Sequence, residues 1–297
     1  MYEMNIYKQI AALIFGLSLI LSACSSGQIA AAAETTASSS DGIVTVTFID
    51  VGQGDATLIQ TESSAMLIDG GVQAAYERIA EILRREGISH LDYIVATHPH
   101  TDHIGGLVPL IGNDNGIGIG TVIMPNVVHT TRTYENFLAA LIHNEIVVAE
   151  PYPGKILEID DAVFTIVAPN SSGYSNLNNY SIVMIMDHGY NSFLFAADAE
   201  RKSEHEILES FDDISADVLR IGHHGSRTSS SEEFLDAVSP RYAVISAGEG
   251  NQYGHPHDVV IDRLAQRDIN ILITYETGDI VMISDGAEIA VTASYNQ

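Results

Sequence analysis

The stretch "THPHTDHIGG", residues 97–106, contains three of the 12 histidines of this 297-residue chain and one aspartate within six consecutive positions. The apolar run "LDYIVAT" (91–97) comes directly before it and predicts a buried strand. The polar cluster therefore lies where a strand ends and a loop begins, which is a common place for a functional site.

Side-chain direction in this stretch favours two neighbouring metal ions. In an extended chain alternate side chains point the same way, so His98 and His100 can bind one ion, with Asp102 on the same side. His103 follows where the chain turns, and it can face a second ion together with Asp102. Imidazole nitrogens and carboxylate oxygens are ligands for zinc, manganese or iron. The alternative, a polar loop that is merely rich in histidine, is disfavoured because this alternation is what two adjacent ions require.

The rest of the chain predicts a fold dominated by strands. Apolar or alternating runs predict strands at 43–50, 56–61, 65–69, 91–97, 121–125, 163–169, 181–187, 192–198, 216–222, 241–247, 270–275 and 279–284. Helical spacing appears at 74–87, 133–144, 199–211, 230–239 and 257–268. These helices are too few for a single parallel sheet, so we expect an α/β (α+β) fold in which two packed sheets carry helices on their outer faces.

The N-terminus predicts export. Lys8 precedes an apolar run (10–24) that is about as long as a signal-peptide core and shorter than the roughly 20 residues of a spanning helix. The run ends in "LSAC", which resembles a bacterial lipobox and implies lipid attachment to Cys24, the only cysteine; an uncleaved anchor is the alternative. We therefore expect a signal peptide at 1–23, a lipidated cysteine and flexible tether at 24–41, and one extracytoplasmic catalytic domain at 42–297.

Charge excludes one class of partner. The chain has 39 acidic and 13 basic residues, a formal net charge of −26. Such a charge keeps a protein soluble and opposes long-range attraction to polyanions. We expect no duplex-DNA footprint, and a monomer whose acidic balance suits a site that concentrates divalent cations.

Several motifs together resemble one protein family. "HPHTDH" (98–103) resembles the His-x-His-x-Asp-His signature of the metallo-β-lactamase superfamily, which implies a four-layered αββα sandwich with one or two metal ions at one edge. The resemblance extends over about residues 43–286 to the metallo-β-lactamase domain of the ComEC-type competence proteins of DNA uptake. It is carried, in order, by "FIDVGQGDATLIQ" (48–60), "LIDGG" (67–71), "NNYSIVMI" (178–185), "FLFAADAE" (193–200), "HHGS" (223–226) and "NQYGHPH" (251–257).

The resemblance implies roles for residues outside the first motif. Asp198 matches the carboxylate that bridges both ions. His223 matches the last histidine ligand, and we favour it over His224 because a side chain that leaves a strand end is better fixed. Asp69, and less closely Asp55, match carboxylates that orient a ligating histidine through its free ring nitrogen.

The chain departs from the family pattern at the first ion. Many members place a third histidine shortly before the bridging aspartate, where this chain has "NLNNYS" (176–181). Asn178 or Asn179 can supply only a weak amide oxygen there. We therefore expect two divalent ions, zinc or manganese, with the first held loosely.

Two such ions about 3.5–4 Å apart would lower the pKa of a bridging water toward neutrality and stabilise charge on a phosphoryl oxygen. The expected catalytic residues are Asp102, Asp198 and the proton donor His255. A predicted helix start follows Ser226, Arg227 and Thr228, and its free amides suit an anion. We expect these three residues, together with Tyr253, to bind the substrate. The alternative for the segment 226–228 is simple helix capping. Surface or packing positions are expected for His90, His129, His143, His188 and His205.

These observations predict a metal-dependent hydrolase that uses a metal-bridged hydroxide. A phosphodiesterase or nuclease-like enzyme, acting on a phosphodiester or other anionic ester and anchored to the membrane through Cys24, is the closest match. One alternative is an esterase of teichoic acid phosphocholine, whose aromatic cage would depend on tyrosine and phenylalanine because the chain has no tryptophan. Another is a non-catalytic surface protein that binds metal, which the missing third histidine would favour.

Overall fold

A computed structural model describes residues 42–293 of the chain. The expected signal peptide, the lipidation site Cys24 and the tether therefore lie outside the described residues. Within the described range, no helix combines the length and the apolar character needed to cross a membrane.

The described residues form two mixed sheets with helices outside them. The strands are β1 (Val44–Phe48), β2 (Thr57–Gln60), β3 (Ala65–Ile68), β4 (His90–Val95), β5 (Gly118–Ile123), β6 (Val147–Ala149), β7 (Ile156–Ile159), β8 (Ala162–Ala168), β9 (Val183–His188), β10 (Asn191–Phe195), β11 (Val218–Arg220), β12 (Tyr242–Ile245), β13 (Asn270–Ile273), β14 (Ile280–Ser284) and β15 (Ile289–Ala293). The helices are α1 (Tyr76–Arg85), α2 (Thr101–Ile104), α3 (Leu107–Gly112), α4 (Arg132–His143), α5 (Arg201–Ser210), α6 (Glu232–Val238), α7 (Asp258–Ala265) and α8 (Thr274–Thr277). Short 3₁₀ turns cover Gln73–Ala75, Leu177–Tyr180 and Gly222–Gly225.

Strand order explains where the polar loops meet. The first sheet has the order β15-β14-β1-β2-β3-β4-β5-β6, and the second has the order β13-β12-β11-β10-β9-β8-β7. Strands β3 to β6 are parallel, and so are β10 to β13. Because parallel strands end at the same edge of a sheet, the loops after β3 and β4 meet on one sheet, and those after β10 and β11 meet on the other.

Three apolar cores hold four layers together. Between the sheets, alternate residues of β1 and β10 such as Phe48 and Phe193 are fully buried. Helices α1, α3 and α4 cover the first sheet, with residues such as Phe137 buried against it. Helices α5, α6 and α7 cover the second sheet through residues such as Ile207 and Phe234. The expected αββα sandwich is confirmed; the short strands β6, β7 and β15 were not predicted.

Two glycines let the site loops touch. A Cβ atom at Gly106 would lie 2.1 Å from the carbonyl oxygen of Gly70, a distance that no side chain tolerates. Gly54, with φ +150°, would bring a Cβ atom to 2.6 Å from the carbonyl oxygen of Asp102. Glycine at both positions therefore allows the loop after β3 and the loop before β2 to pack directly against the residues that follow β4.

Candidate metal centre

The candidate site lies where four strands end. Asp69 directly follows β3, His98 comes shortly after β4, Asp198 follows β10, and His223 follows β11. Both sheets therefore contribute side chains to one edge of the sandwich. This placement brings together groups that are more than a hundred residues apart along the chain.

One group of ligand atoms surrounds the Oδ1 atom of Asp198, and we call it the second site: Asp102, His103, Asp198 and His224. The Nε2 atoms of His103 and His224 lie 3.3 and 3.4 Å from that oxygen. The Nε2 atom of His224 is also 3.5 Å from Oδ2 of Asp102. Ligand atoms of Asp102, His103 and His224 all lie within 4.8 Å of one another.

The buried atoms of the second site fit a divalent cation. His103 Nε2, His224 Nε2 and Asp198 Oδ1 are buried, and none of them has a hydrogen-bond partner among the described residues. A buried polar atom without a partner costs about 1–3 kcal/mol and is rare in native proteins. Three such atoms, all of metal-ligand type and all facing one point, fit a divalent ion that would bind them.

The other carboxylate oxygen of Asp198 faces the first site: His98, His100 and Asp198. His98 Nε2 lies 3.7 Å from Oδ2 of Asp198 and 3.0 Å from Nδ1 of His100. His223 approaches from the opposite side, with its Nε2 atom also 3.7 Å from Oδ2. Asp198 therefore lies between the two groups, with one oxygen toward each.

Hydrogen bonds orient the two histidines of the second site so that their Nε2 atoms face the position of an ion. His103 Nδ1 is 2.6 Å from Oδ2 of Asp69, and Asp69 also accepts from the backbone N and the hydroxyl of Thr97. His224 Nδ1 is 2.9 Å from the carbonyl oxygen of Ser246, which can only accept. Each Nδ1 therefore donates its hydrogen outward, and Nε2 is the atom that would lose any proton it carries and bind the ion.

Asp55 has a different partner from the one expected. It was expected to orient a ligating histidine, but its Oδ2 lies 2.6 Å from Nη2 of Arg220, and both side chains are buried. Arg220 Nη1 donates to the carbonyl oxygens of Ala197 and Ile221, at 2.6 and 2.8 Å. Arg220 therefore joins the loop after β10 to the end of β11, and its ion pair with Asp55 ties both to the loop before β2.

Of the two neighbouring histidines, the one that was not favoured as the last ligand lies deeper in the site. His224, not the favoured His223, contacts Asp102 and the Oδ1 atom of Asp198, whereas His223 approaches Oδ2. The cause is a backbone with φ +49° at His223 and +54° at His224. Such left-handed residues cost about 1–3 kcal/mol each and cluster at functional sites. They turn the chain so sharply that His224 points inward, while His223 stays partly exposed toward the first site.

The asparagines in place of the missing histidine differ in direction. Asn178 Nδ2 lies 3.3 Å from both ring nitrogens of His223 and 3.4 Å from Oε1 of Glu200. Asn179 points away, because its Oδ1 accepts from the backbone N of Ser203 at 3.2 Å. Of the two asparagines, Asn178 is therefore the one that contacts His223.

The site opens into a pocket of about 290 Å³. Tyr253, 55% exposed, and His255 line it as expected, and His129 also lines it instead of lying apart from the site. The described lining residues are Gln53, His100, Thr101, Asp102, His129, Asp198, His223, His224, Tyr253 and His255.

The expected anion-binding segment does not line this pocket among the described residues. Ser226 is buried, and the Thr228 hydroxyl donates to Glu200 at 3.0 Å. The side chain of Arg227 is not among the pocket residues. The backbone N–H groups of Ser230 and Ser231, at the start of α6, already donate to Glu204. These two backbone amides are therefore not available to a substrate anion.

Charges at the site favour bound cations. Burial opposes ionisation of Asp198, but His224 and His103 outweigh it and hold its pKa well below the ordinary value. Burial also disfavours a charged His103, yet the Asp198 and Asp69 carboxylates raise its pKa well above 6.5. Burial lowers the pKa of His98 well below 6.5. Burial, with His223 and His224 nearby, lowers the pKa of His255 to about 4, so His255 is a neutral imidazole at pH 7.

The sequence did not point to Glu200, Arg220, Gln53 or His129 as members of the site. The sequence could have indicated Glu200 as a site residue, because it follows Asp198 by two positions in the stretch "AADAE". It could also have indicated Arg220, since an arginine in the apolar run "DVLRIG" needs a buried carboxylate partner.

The fold and the arrangement of the candidate metal ligands are those of one protein superfamily. The family model of the Metallo-beta-lactamase superfamily matches residues 49–249, and the chain belongs to that superfamily.

Within it, the chain is similar to ComEC-type competence proteins, as its motifs predicted. It is 32% identical to ComE operon protein 3 of Bacillus subtilis over 253 residues, which are 79% of this chain and 32% of that protein. It is 34% identical to Recombination protein 2 of Haemophilus influenzae over 222 residues, 73% of this chain and 26% of that protein. The chain thus spans only about a third or less of these relatives' length.

Solved structures share the fold at low identity. The metallo-beta-lactamase fold protein YhfI of Bacillus subtilis aligns with a TM-score of 0.55 and 14% identity, over 82% of this chain and all of that one. CmlA, a diiron beta-hydroxylase from Streptomyces venezuelae, aligns with a TM-score of 0.52 and 15% identity, over 77% of this chain and 52% of that one. At these identities the likeness concerns the fold alone.

Proposed function

We propose that this protein is a metal-dependent phosphodiesterase with nuclease-like action on single strands. The observation that carries the proposal is the set of three buried, unpartnered ligand atoms on His103, His224 and Asp198. A bound pair of manganese or zinc ions would activate a water as nucleophile and stabilise charge on the phosphoryl oxygens. The chain's relatives, named for competence and recombination, support a nucleic-acid phosphodiester.

Each catalytic residue has a separate task in this proposal. Asp198 lies between the two sites and would hold one ion with each of its two oxygens. Asp102 contacts His224 at the pocket side of the second site, where it is partly exposed and would hold the second ion. His255 is neutral at pH 7, so it serves as a hydrogen-bond donor to the leaving oxygen and not as an imidazolium acid.

The pocket suits an extended anionic ester once cations are bound. Its lining includes the Asp102 and Asp198 carboxylates, which the ions would neutralise, and imidazoles, an amide, a hydroxyl and one phenol, which can donate hydrogen bonds to phosphate oxygens. The net charge of −26 opposes binding of a long duplex but does not prevent a single phosphodiester from being held at the metal ions. Tyr253 is the only tyrosine, phenylalanine or tryptophan among the described lining residues, so the pocket lacks an aromatic cage for choline.

Hydrolysis of a generic substrate tests the proposal. The full chain, purified in detergent and reloaded with Mn²⁺ or Zn²⁺, should hydrolyse bis(p-nitrophenyl) phosphate and cleave single-stranded DNA. It should act poorly on p-nitrophenyl phosphorylcholine, which a teichoic acid esterase would prefer. Zero turnover of every substrate by protein with a measured full metal content would support the non-catalytic binding role instead.

We also propose that the catalytic domain, residues 42–297, is held at the outer face of the membrane by lipid on Cys24. Cells that express the full chain should incorporate labelled palmitate into it, and Cys24→Ala should abolish the label. A Cys24→Ala protein that still carries label would contradict lipidation at this residue.

A further inference from the structure

We propose that His223 is the third protein ligand of the first site and replaces the histidine that this chain lacks before Asp198. Glu200 positions it. The inference rests on the proposed metal centre and deepens it: the adjacent histidines His223 and His224 would serve different ions.

Distances to Asp198 place His223 on the first site. Its Nε2 atom is 3.7 Å from Oδ2 of Asp198, which is the same separation as that of His98 Nε2 from this oxygen. His224 instead meets the other oxygen, Oδ1, at 3.4 Å. The two imidazoles therefore divide between the two sides of one carboxylate, and their ring centroids are 6.1 Å apart.

Glu200 orients His223 as Asp69 orients His103. The Nδ1 atom of His223 is 3.3 Å from Oε1 of Glu200 and 3.2 Å from the Thr228 hydroxyl. Glu200 is itself held, because it accepts from Thr228 at 3.0 Å and from Asn176 at 2.8 Å. An acceptor at Nδ1 keeps the hydrogen there, so Nε2 presents its lone pair toward Asp198.

Asn178 explains why this geometry exists in this chain. It lies in the stretch shortly before Asp198 in which many members of the superfamily have their third histidine, and its amide contacts the His223 ring at 3.3 Å. An asparagine is shorter than a histidine, and it therefore leaves room for the imidazole of His223, which follows β11 in the same sheet. The left-handed backbone at His223, with φ +49°, directs the ring there.

Metal counting tests the proposal without reference to catalysis. His223→Gly and His223→Asn both suit a left-handed backbone, so each removes the imidazole without adding strain. His224→Gly is the matched variant for the second site. His143→Ala, which removes an exposed histidine on α4, is the control. The full chain is loaded with Mn²⁺, bound metal is counted by mass spectrometry, and electron paramagnetic resonance reports whether two ions are coupled.

The wild type and His143→Ala should bind two coupled ions. Both His223 variants should keep one ion and show the spectrum of isolated Mn²⁺. Glu200→Gln, which keeps an acceptor but loses the charge, should bind the weaker ion about 10–100-fold less tightly. Two coupled ions in a folded His223 variant would overturn the proposal and leave His223 as a substrate contact. If both His223 variants fail to fold, unchanged binding of both ions by Glu200→Gln would overturn it.

The outcomes separate this inference from the proposed function. A wild type that binds two ions without hydrolysing any phosphodiester would refute the enzyme and leave the ligand assignment standing. A wild type that hydrolyses the substrate while its folded His223 variants keep both ions would refute only the ligand assignment.

Discussion

Replacing Asp69 by asparagine should weaken metal binding, although Asp69 is not one of the proposed metal ligands. Its Oδ1 accepts from the Thr97 backbone N at 2.8 Å, and its Oδ2 accepts from the Thr97 hydroxyl at 2.7 Å and from His103 Nδ1 at 2.6 Å. All of these atoms are buried. An asparagine offers one oxygen and one NH₂ group, so it cannot accept from every donor.

Each orientation of the new amide has a distinct penalty. With its NH₂ group toward the Thr97 backbone, two buried donors face each other, which costs about 1–3 kcal/mol of unfolding free energy. With its NH₂ group toward His103, the imidazole must move its hydrogen to Nε2, the atom that would bind the ion. Loss of such an orienting partner lowers metal affinity about 10–100-fold, or about 1.4–2.7 kcal/mol.

Calorimetric titration of metal-free Asp69→Asn with Mn²⁺, together with urea unfolding in chelator, measures both penalties. Asp160→Asn is the control, since Asp160 accepts from Thr61 and Ser63 at an exposed loop far from the pocket. Wild-type metal affinity combined with wild-type stability in Asp69→Asn would refute the orienting role.

Two further predictions concern the ligands themselves. Asp198→Ala and His98→Ala should each abolish phosphodiester hydrolysis while circular dichroism shows an intact fold, and hydrolysis retained by either variant would break the role assignment. Because Asp198 and Asp69 raise the pKa of His103 well above 6.5, the metal-free protein carries a proton there at pH 7 that an ion must displace. Metal affinity should therefore rise up to about tenfold per pH unit through neutrality, with proton release detected by calorimetry in buffers of different ionisation enthalpy; a pH-independent affinity would contradict this.

Local patterns predicted much of the fold and part of the site. The strands of both sheets are apolar runs with clear boundaries, and "HPHTDH" places its ligands within six residues, so neither needed tertiary information. The strands β6, β7 and β15 have only three to five residues and pair at or near sheet edges, so their periodicity is weak. The short helices α2 and α3 lie in a stretch broken by glycines and a proline, which conceals helical spacing.

The remaining features depend on contacts between distant parts of the chain. The order of His223 and His224 follows from two left-handed residues that are not glycine, and neither residue type predicts that backbone. His129 reaches the pocket only because the loop after β5 returns to the site, where its ring lies 5.7 Å from that of His100. Glu204 accepts from the backbone amides of Ser230 and Ser231, although it is far from them in sequence.

Anomalous X-ray diffraction at the manganese edge, from crystals grown with Mn²⁺, tests the central claim most directly. Two peaks should flank the Asp198 carboxylate, one bounded by Asp102, His103 and His224, and the other by His98 and His100. Crystals of metal-loaded protein with no peak beside Asp198 would contradict the account.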